Sequence, residues 1–124
     1  MPDHTFPQHV RLKTPAQFKA VYDRKRSVSD GTLVVYAAAN GLAHPRVGLS
    51  VSRKVGNAVV RNRWKRLLRE AFRLNRHALP AGLDFILIPR SGQTEPTLKV
   101  IVASLTKLAG DAARRVPRVP EGTA

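Results

Sequence analysis

Residues 46–76 read RVGLSVSRKVGNAVVRNRWKRLLREAFRLNR, a stretch whose pattern changes from that of a strand to that of a helix. Its first seven residues alternate between apolar and polar or small side chains, which predicts a strand over 46–52. Asn57 then suits a helix N-cap. From Asn57 to about His77 the spacing predicts a helix with an apolar stripe. The predicted stripe contains Val60, Trp64, Leu67, Leu68, Ala71 and Leu74.

The same stretch carries ten Lys or Arg residues and a single acid, Glu70. The face of the predicted helix opposite the stripe holds Asn62, Lys65, Arg66, Arg69, Arg73 and Arg76, and Arg61 and Arg63 flank the stripe. Like charges repel and destabilise a compact fold, so charge of one sign at this density predicts a polyanionic partner. The alternative is a solvated amphipathic helix, which the scarcity of acidic partners disfavours.

The whole chain is basic, with a formal net charge of +14 over 124 residues and a pI of about 11.6. This imbalance fits binding to a phosphate backbone. No apolar run approaches the roughly 20 residues of a membrane span, and the first residues lack the apolar region of a signal peptide. Without cysteine there are no disulfides or thiolate metal sites. We therefore predict a cytoplasmic protein that does not act at a membrane.

Four further elements are predicted around this stretch. Thr14 and Pro15 begin a helix with Phe18, Val21 and Tyr22 on one face. Residues 32–39 are rich in β-formers and predict a strand, and 83–88 predict a buried strand that ends before proline. A last helix is predicted with Thr94 as its cap. Its apolar residues are Leu98, Ile101, Val102, Leu105 and Leu108.

The resulting α-β-β-α-β-α order predicts a single α+β domain with a central sheet packed by helices. Asn40-Gly41 is a turn signal, so we expect strands 32–39 and 46–52 to form an antiparallel hairpin. If the strands on either side of the basic helix pair in parallel, that helix is a crossover connection. We predict a flexible N-terminal arm over 1–10, the domain over 11–110, and a basic disordered tail over 111–124.

Protein-based catalysis has little support in the sequence. The eight acidic residues are scattered singly, and the four histidines have no carboxylate or second histidine at metal-ligand spacing. We therefore predict no catalytic residues and no metal site in the protein.

Three aromatic residues, Phe18, Tyr22 and Tyr36, have two interpretations. Aromatic rings in a basic groove stack on unpaired bases, but helical spacing also favours core packing for Phe18 and Tyr22. Tyr36 shifts the balance slightly toward binding, because its strand face also carries the polar Thr32. Trp64 lies in the middle of the stripe and is predicted to be core.

Residues 46–73 closely resemble the signature of the bacterial ribonuclease P protein subunit family. The Arg61-Asn62-Arg63 core, preceded by Lys54-Val-Gly-Asn-Ala-Val, is its specific part. The segment from Leu12 to Tyr22 resembles the family's first helix and residues 84–90 its last strand, so the resemblance covers about 11–110. Trp64 departs from the family pattern, in which a smaller aliphatic residue is typical.

The resemblance implies a left-handed βαβ crossover around the basic helix, an exception to the usual right-handed rule. It also implies a role as protein subunit of the ribonuclease P ribonucleoprotein, which removes the 5′ leader from precursor tRNA by hydrolysis. Catalysis then belongs to the RNA subunit with Mg²⁺, which is held mainly by RNA. The implied partners are this catalytic RNA and the leader of precursor tRNA, with no obligate protein partner.

The resemblance assigns roles to individual positions. Its RNA-subunit contacts fall on Arg53, Lys54, Arg61, Asn62, Arg63, Lys65, Arg66 and Arg69. Its leader-binding cleft falls on Phe18, Tyr22, Val34, Tyr36, Ser50 and Lys54. This favours binding over core packing for the three aromatic residues.

Three other classes of protein remain as alternatives. A structural RNA-binding protein such as a ribosomal protein would co-purify with ribosomal RNA. A stand-alone nuclease would cleave without RNA, and a DNA-binding module would prefer duplex DNA to structured RNA.

Overall fold

The computed structural model describes residues 8–90 and 96–116. These residues form three α-helices, four strands and two short 3₁₀ turns at Gln8–Val10 and Arg53–Val55. In chain order the helices and strands are α1 (Pro15–Asp23), β1 (Ser27–Ser29), β2 (Leu33–Ala39), β3 (Arg46–Leu49), α2 (Ala58–Asn75), β4 (Leu83–Pro89) and α3 (Leu98–Arg115). The α+β fold with a central sheet packed by helices is confirmed.

The four strands form one sheet in the order β1-β2-β4-β3. β4 pairs antiparallel with β2 and parallel with β3, so the expected hairpin of β2 with β3 is wrong. β4 is apolar along almost its whole length, which suits a central strand buried on both faces. It therefore separates two strands that are neighbours in sequence, and α2 is the crossover between parallel β3 and β4. The short edge strand β1 carries one apolar residue, Val28, too few to show a period.

An ion pair secures the parallel pairing of β3 with β4. Arg46 donates from Nε and Nη2 to the two carboxylate oxygens of Asp84, at 2.8 and 2.7 Å. Asn40 also donates to Asp84, at 2.9 Å, and accepts from Leu42 N at 2.8 Å. The hydrogen bonds and the charge of Asp84 outweigh burial and raise the pKa of Arg46. The expected turn at Asn40-Gly41 is therefore present, but the chain after it enters β3, which lies on the opposite side of β4 from β2.

The crossover through α2 is left-handed. Val47 and Leu87 both pack in the same cluster as Trp64, so both point toward α2. Val47 O accepts from Leu12 N at the outer edge of the sheet, whereas Leu87 O accepts from Ser50 N on the β3 side. In an upward-running strand of L-residues, the C=O points right when the side chain points at the viewer. Seen from α2, β4 therefore lies to the left of β3, which confirms the expected exception to the right-handed rule.

The two faces of the sheet carry cores of different size. The face under α2 and α3 holds the larger cluster, in which Trp64, Phe72, Phe85 and Leu105 are fully buried. The other face is covered by α1. Its smaller cluster has four buried members and four partly buried ones: Leu12, Val21, Ala38 and Ile86, then Phe18, Tyr22, Tyr36 and Ile88.

The apolar stripe of α2 is rotated relative to the prediction. Trp64, Leu68 and Ala71 are buried as expected, but Phe72 is also buried and Leu74 is 54% exposed. At about 100° per residue, Phe72 and Leu74 lie on opposite sides of Trp64. The buried arc therefore extends toward Phe72, and Leu74 was wrongly assigned to the stripe.

The ends of the helices correct three boundaries. The expected capping box of α1 is present, with Thr14 and Gln17 bonded reciprocally. The cap of α3 is Thr97, which accepts from Val100 N, and the proposed cap Thr94 lies outside the described residues. α3 continues to Arg115, so the predicted tail begins too early, while 117–124 lie outside the described residues. At the other end Val10, within the predicted arm, is buried in the core, whereas Gln8 and His9 are exposed.

Candidate RNA-binding surfaces

The first surface lies on the outer side of α2 and the 3₁₀ turn before it. Ser52 Oγ accepts from Lys54 N at 3.3 Å, and Asn57 Oδ1 accepts from Val60 N at 3.0 Å, so the turn and the helix are each capped. We call this the basic helix surface. It consists of Arg53, Lys54, Arg61, Asn62, Arg63, Lys65, Arg66 and Arg69. Arg61 and Lys65 are half-buried and the other six are exposed.

The cations of the basic helix surface stand without acidic partners. Among the described residues none of the seven forms an ion pair, whereas Arg73 on the same helix pairs with Glu70. The first turn of α2 contains no acidic residue, so the positive end of the helix dipole adds to the charge of Arg53 and Lys54. The surface therefore attracts anions, most strongly near the start of α2.

Arg76 differs from the other cations predicted on the outer face of α2. It is half-buried at the C-terminal end of the helix, and its Nη1 is buried without a hydrogen-bond partner in the described part of the chain. Arg76 is therefore not part of the exposed surface.

The second surface is built on the other face of the sheet, where α1 meets β2. Tyr22 and Tyr36 contact each other edge to face, with ring centroids 4.9 Å apart and an angle of 76° between the rings. Phe18, Tyr22 and Tyr36 are all half-buried, and all three pack against the smaller cluster. Each residue is therefore partly packed against the core and partly accessible to solvent, which combines the two interpretations given by the sequence.

Phe18 lies directly over Gly48. A Cβ placed on Gly48 would be 2.5 Å from Phe18 Cζ and 2.7 Å from Cε2, closer than side chains pack. Gly48 belongs to β3 and pairs with Ile86, which in turn pairs with Tyr36. Phe18 and Tyr22 therefore cover the row of the sheet formed by Tyr36, Ile86 and Gly48.

The next row along the sheet is less covered. Val34 pairs with Ile88 in the register of β2 and β4, and continuation of the β3 register places Ser50 on the other side of Ile88. All three are half-buried. We call this row, together with the three aromatic rings, the aromatic cleft.

The chain links the two surfaces at the end of β3. It leaves the aromatic cleft at Ser50 and reaches Arg53 and Lys54 in the turn before α2, three and four residues later. The structure thus places the predicted RNA-subunit residues on one surface and five of the six predicted leader residues in one cleft, with the sixth, Lys54, on the basic helix surface.

Arg90 lies beside the cleft, although it is not among the residues predicted for that site. It is exposed and follows β4, and its N–H donates to Thr32 O at 3.0 Å. The two-residue period through Ile86 and Ile88 places Arg90 on the cleft face. This alternation is visible in the sequence and is the signal that identifies it.

The described ranges contain neither a cluster of metal-ligating side chains nor a helix that could span a membrane. Within 8–90 and 96–116, no three His, Cys, Asp or Glu side chains are close enough to hold a metal ion. No helix in these ranges is long and apolar enough to span a membrane.

Comparisons with known proteins agree on one family. The family model for ribonuclease P matches residues 6–113. The ribonuclease P protein component of Brevibacillus brevis is 48% identical over 96 residues, covering 77% of this chain and 76% of that protein. The corresponding component of Photorhabdus laumondii is 40% identical over 104 residues, covering 83% and 87%.

Solved structures give the same result. A mutant of the Staphylococcus aureus RNase P protein, described as defective in mRNA degradation activity, matches with a TM-score of 0.76 and 36% identity, covering 86% of this chain and 90% of that one. The RNase P protein of Thermotoga maritima matches with a TM-score of 0.75 and 30% identity, covering 82% and 96%. The chain therefore belongs to the ribonuclease P protein family, the protein components of a ribonucleoprotein that takes part in tRNA processing.

Proposed function

We propose that this protein assembles with a catalytic ribonuclease P RNA and helps it remove the 5′ leader from precursor tRNA. One observation carries the proposal: seven cations that form no ion pair within the described residues lie on one surface, and a separate, half-buried aromatic cleft lies on the other face of the sheet. The first surface suits a folded RNA and the second suits a single strand. Family membership supports the same assignment.

The basic helix surface is proposed to dock on the RNA subunit. Arginine offers a planar fork that binds phosphate through two hydrogen bonds, and lysine acts as a point charge. Each neutralised phosphate releases a counterion, so the association is expected to weaken steeply with salt. Asn62 lies between Arg61 and Arg63 and is suited to a base edge or a sugar hydroxyl.

The aromatic cleft is proposed to bind the leader a few nucleotides upstream of the cleavage site. Unpaired bases expose their faces and stack on aromatic rings, which bases in a duplex cannot do. Phe18, Tyr22 and Tyr36 supply the rings, and Val34 and Ser50 line the floor beside them. Lys54, exposed in the turn before α2, is proposed to contact a leader phosphate.

The protein contributes position rather than reactive groups. When both surfaces are occupied, the scissile phosphate is held at a fixed place on the RNA subunit, which lowers the entropic part of the barrier. Mg²⁺ held mainly by RNA supplies charge stabilisation for the hydrolysis, and no protein residue is assigned as catalytic. Binding the leader as well as the tRNA body also broadens the range of substrates. We propose a cytoplasmic location, with no obligate protein partner.

The test is cleavage of a 5′-labelled precursor tRNA at low Mg²⁺ by the protein alone, by bacterial ribonuclease P RNA alone, and by both. We expect cleavage at the mature 5′ end only with both. Cleavage by the protein alone would identify a nuclease active site and refute the proposal. Failure of the protein to enhance a well-folded RNA would favour a structural RNA-binding protein instead.

A further inference from the structure

A basic pocket opens beside β1, at the opposite edge of the sheet from β3. Its volume is about 180 Å³, and it lies between the turn after α1, β1 and the last turn of α3. One side is apolar, formed by the buried residues Val28, Ala112 and Val116. The cationic residues that line it are Lys25, Arg26 and Arg115.

None of these three cations is neutralised by a neighbour. In the described part of the chain they form no ion pair and no side-chain hydrogen bond. The acids nearest to them in sequence are engaged elsewhere, since Asp23 pairs with Lys19 and Asp111 pairs with Arg114. Three exposed residues of like charge therefore border one concave site, and an anion bound there would reduce their mutual repulsion.

The C-terminus of α3 offers an alternative explanation for Arg115, because cations stabilise that end of a helix. The dipole, however, corresponds to only about half a negative charge, against three full positive charges at the pocket. The excess charge favours an oxyanion, whose oxygens accept hydrogen bonds from guanidinium and ammonium groups. Lys25 also has a φ of 55°, an uncommon conformation for lysine, so the pocket rim holds a strained residue.

The pocket and the aromatic cleft lie on opposite faces of the sheet, at its β1 edge. Val28, Ala112 and Val116 belong to the larger cluster under α2 and α3, whereas Tyr22 and Tyr36 belong to the smaller cluster under α1. The two sites are close along the backbone, since Lys25 N donates to Tyr22 O at 3.0 Å and Ser27, next to Arg26, pairs with Tyr36. We infer that a leader longer than the cleft runs past Tyr22 and Tyr36, crosses the edge of the sheet at β1 and places a backbone phosphate in the basic pocket. This inference rests on the proposed function.

The test compares two precursor tRNAs, with leaders of about 4 and about 12 nucleotides, binding to the reconstituted holoenzyme. The variant is Lys25→Gln with Arg115→Gln. The matched control is Lys99→Gln with Lys107→Gln, which removes the same charge from exposed positions of α3. We expect the pocket variant to bind the long-leader precursor about tenfold more weakly and to bind the short-leader precursor normally.

Salt dependence sharpens this test. For the long leader, the slope of log affinity against log salt should fall by about 0.7 for each phosphate that the variant no longer neutralises. The control variant should leave the difference between the leaders unchanged. Equal losses for both leaders, or none for either, would overturn the inference, as would a pocket that binds inorganic phosphate but shows no dependence on leader length. Binding of the short-leader precursor tests the proposed function separately. If the cleft does not bind the leader, the unsubstituted protein should not strengthen that binding.

Discussion

The two faces of the sheet are packed to different depths. Under α2 and α3, large side chains such as Trp64 and Phe72 are completely buried, whereas under α1 the rings of Phe18, Tyr22 and Tyr36 remain half-buried. The face under α2 and α3, which we call the closed face, excludes water and gains the full free energy of apolar burial. The face under α1, which we call the open face, keeps aromatic surface accessible to solvent. One face of the sheet therefore stabilises the fold, and the other carries the aromatic surface that is proposed to bind the leader.

The largest effect is expected on the closed face. Trp64→Ala should lower the free energy of unfolding by about 4 kcal/mol, because it leaves a cavity in a closely packed core. Urea unfolding in phosphate buffer measures this, since bound anions offset the repulsion within a chain of charge +14. Trp64→Leu provides a milder variant if the alanine variant does not fold.

Val59→Ala is the control for this prediction. Val59 lies on the same helix but is 77% exposed, so the change should be within about 0.5 kcal/mol. Similar losses of unfolding free energy for Trp64→Ala and Val59→Ala would contradict the conclusion that burial on the closed face stabilises the fold.

Gly48→Ala tests how the open face is built. Its new Cβ would collide with the Phe18 ring, so we expect a loss of about 2 kcal/mol in unfolding free energy. Precursor tRNA binding should weaken as well, because the ring must leave its place over β3. Adding Phe18→Leu should recover part of the stability. Gly31→Ala is the control, since a Cβ built on Gly31 has no atom of the described residues within 4 Å apart from its chain neighbours. Independent, additive effects of Gly48→Ala and Phe18→Leu would show that the two residues do not share this space.

Tyr22→Ala and Phe18→Ala test whether the open face binds the leader. Loss of one stacking ring should weaken precursor tRNA binding by about 1–3 kcal/mol and leave mature tRNA binding unchanged. Both affinities are measured with the reconstituted holoenzyme. Val100→Ala, at a partly exposed position of α3, controls for changes outside the cleft. Equal losses for precursor and mature tRNA would assign the rings a structural role alone.

Arg61→Ala and Arg63→Ala test the outer side of α2, whose inner side belongs to the closed face. Each should weaken assembly with the RNA subunit by about 1 kcal/mol and reduce the salt slope by about one. Arg73→Ala is a matched comparison, because Arg73 is on the same helix but pairs with Glu70. We expect a smaller loss for Arg73. Unchanged assembly of the Arg61 and Arg63 variants would show that the basic helix surface does not dock on the RNA subunit.

The sequence predicted the helices on both faces of the sheet but not the order of its strands. Periodicity identified α2 and the helix of Phe18 and Tyr22, because both have amphipathic spacing over several turns. Periodicity did not predict that β2 pairs with β4. A strand that is apolar on both faces can pair with different neighbours, and its sequence does not show which ones. The hand of the crossover came from family resemblance, because a hydrophobic period has no handedness.

The site residues divide in a similar way. Charge of one sign over 53–69 is visible in the sequence and indicates a binding surface, but the freedom of these cations from ion pairs is a three-dimensional fact. The ion pair of Arg46 with Asp84 joins residues 38 positions apart, and the basic pocket joins Lys25 to Arg115. No local pattern connects such distant positions, so neither was predicted.

An effect as small as that of the Arg61 and Arg63 variants is expected where the β1–β2 turn meets α3. Burial raises the pKa of Asp30, but hydrogen bonds from Leu33 N, Ser104 Oγ and Thr32 N outweigh it, so the pKa lies below its ordinary value of 3.8. A lowered pKa contributes stability above pH 3.8 that is lost as pH falls through the folded value. Ser104→Ala should therefore cost about 1 kcal/mol at pH 7 and reduce the loss of stability on acidification. Urea unfolding between neutral pH and about pH 3 measures both effects. Thr106→Ala, which removes a hydroxyl bonded within α3, should retain the original pH dependence. If the unfolding free energy of Ser104→Ala fell as steeply on acidification as that of the unsubstituted protein, the hydrogen bond from Ser104 would not be what favours the charged form of Asp30.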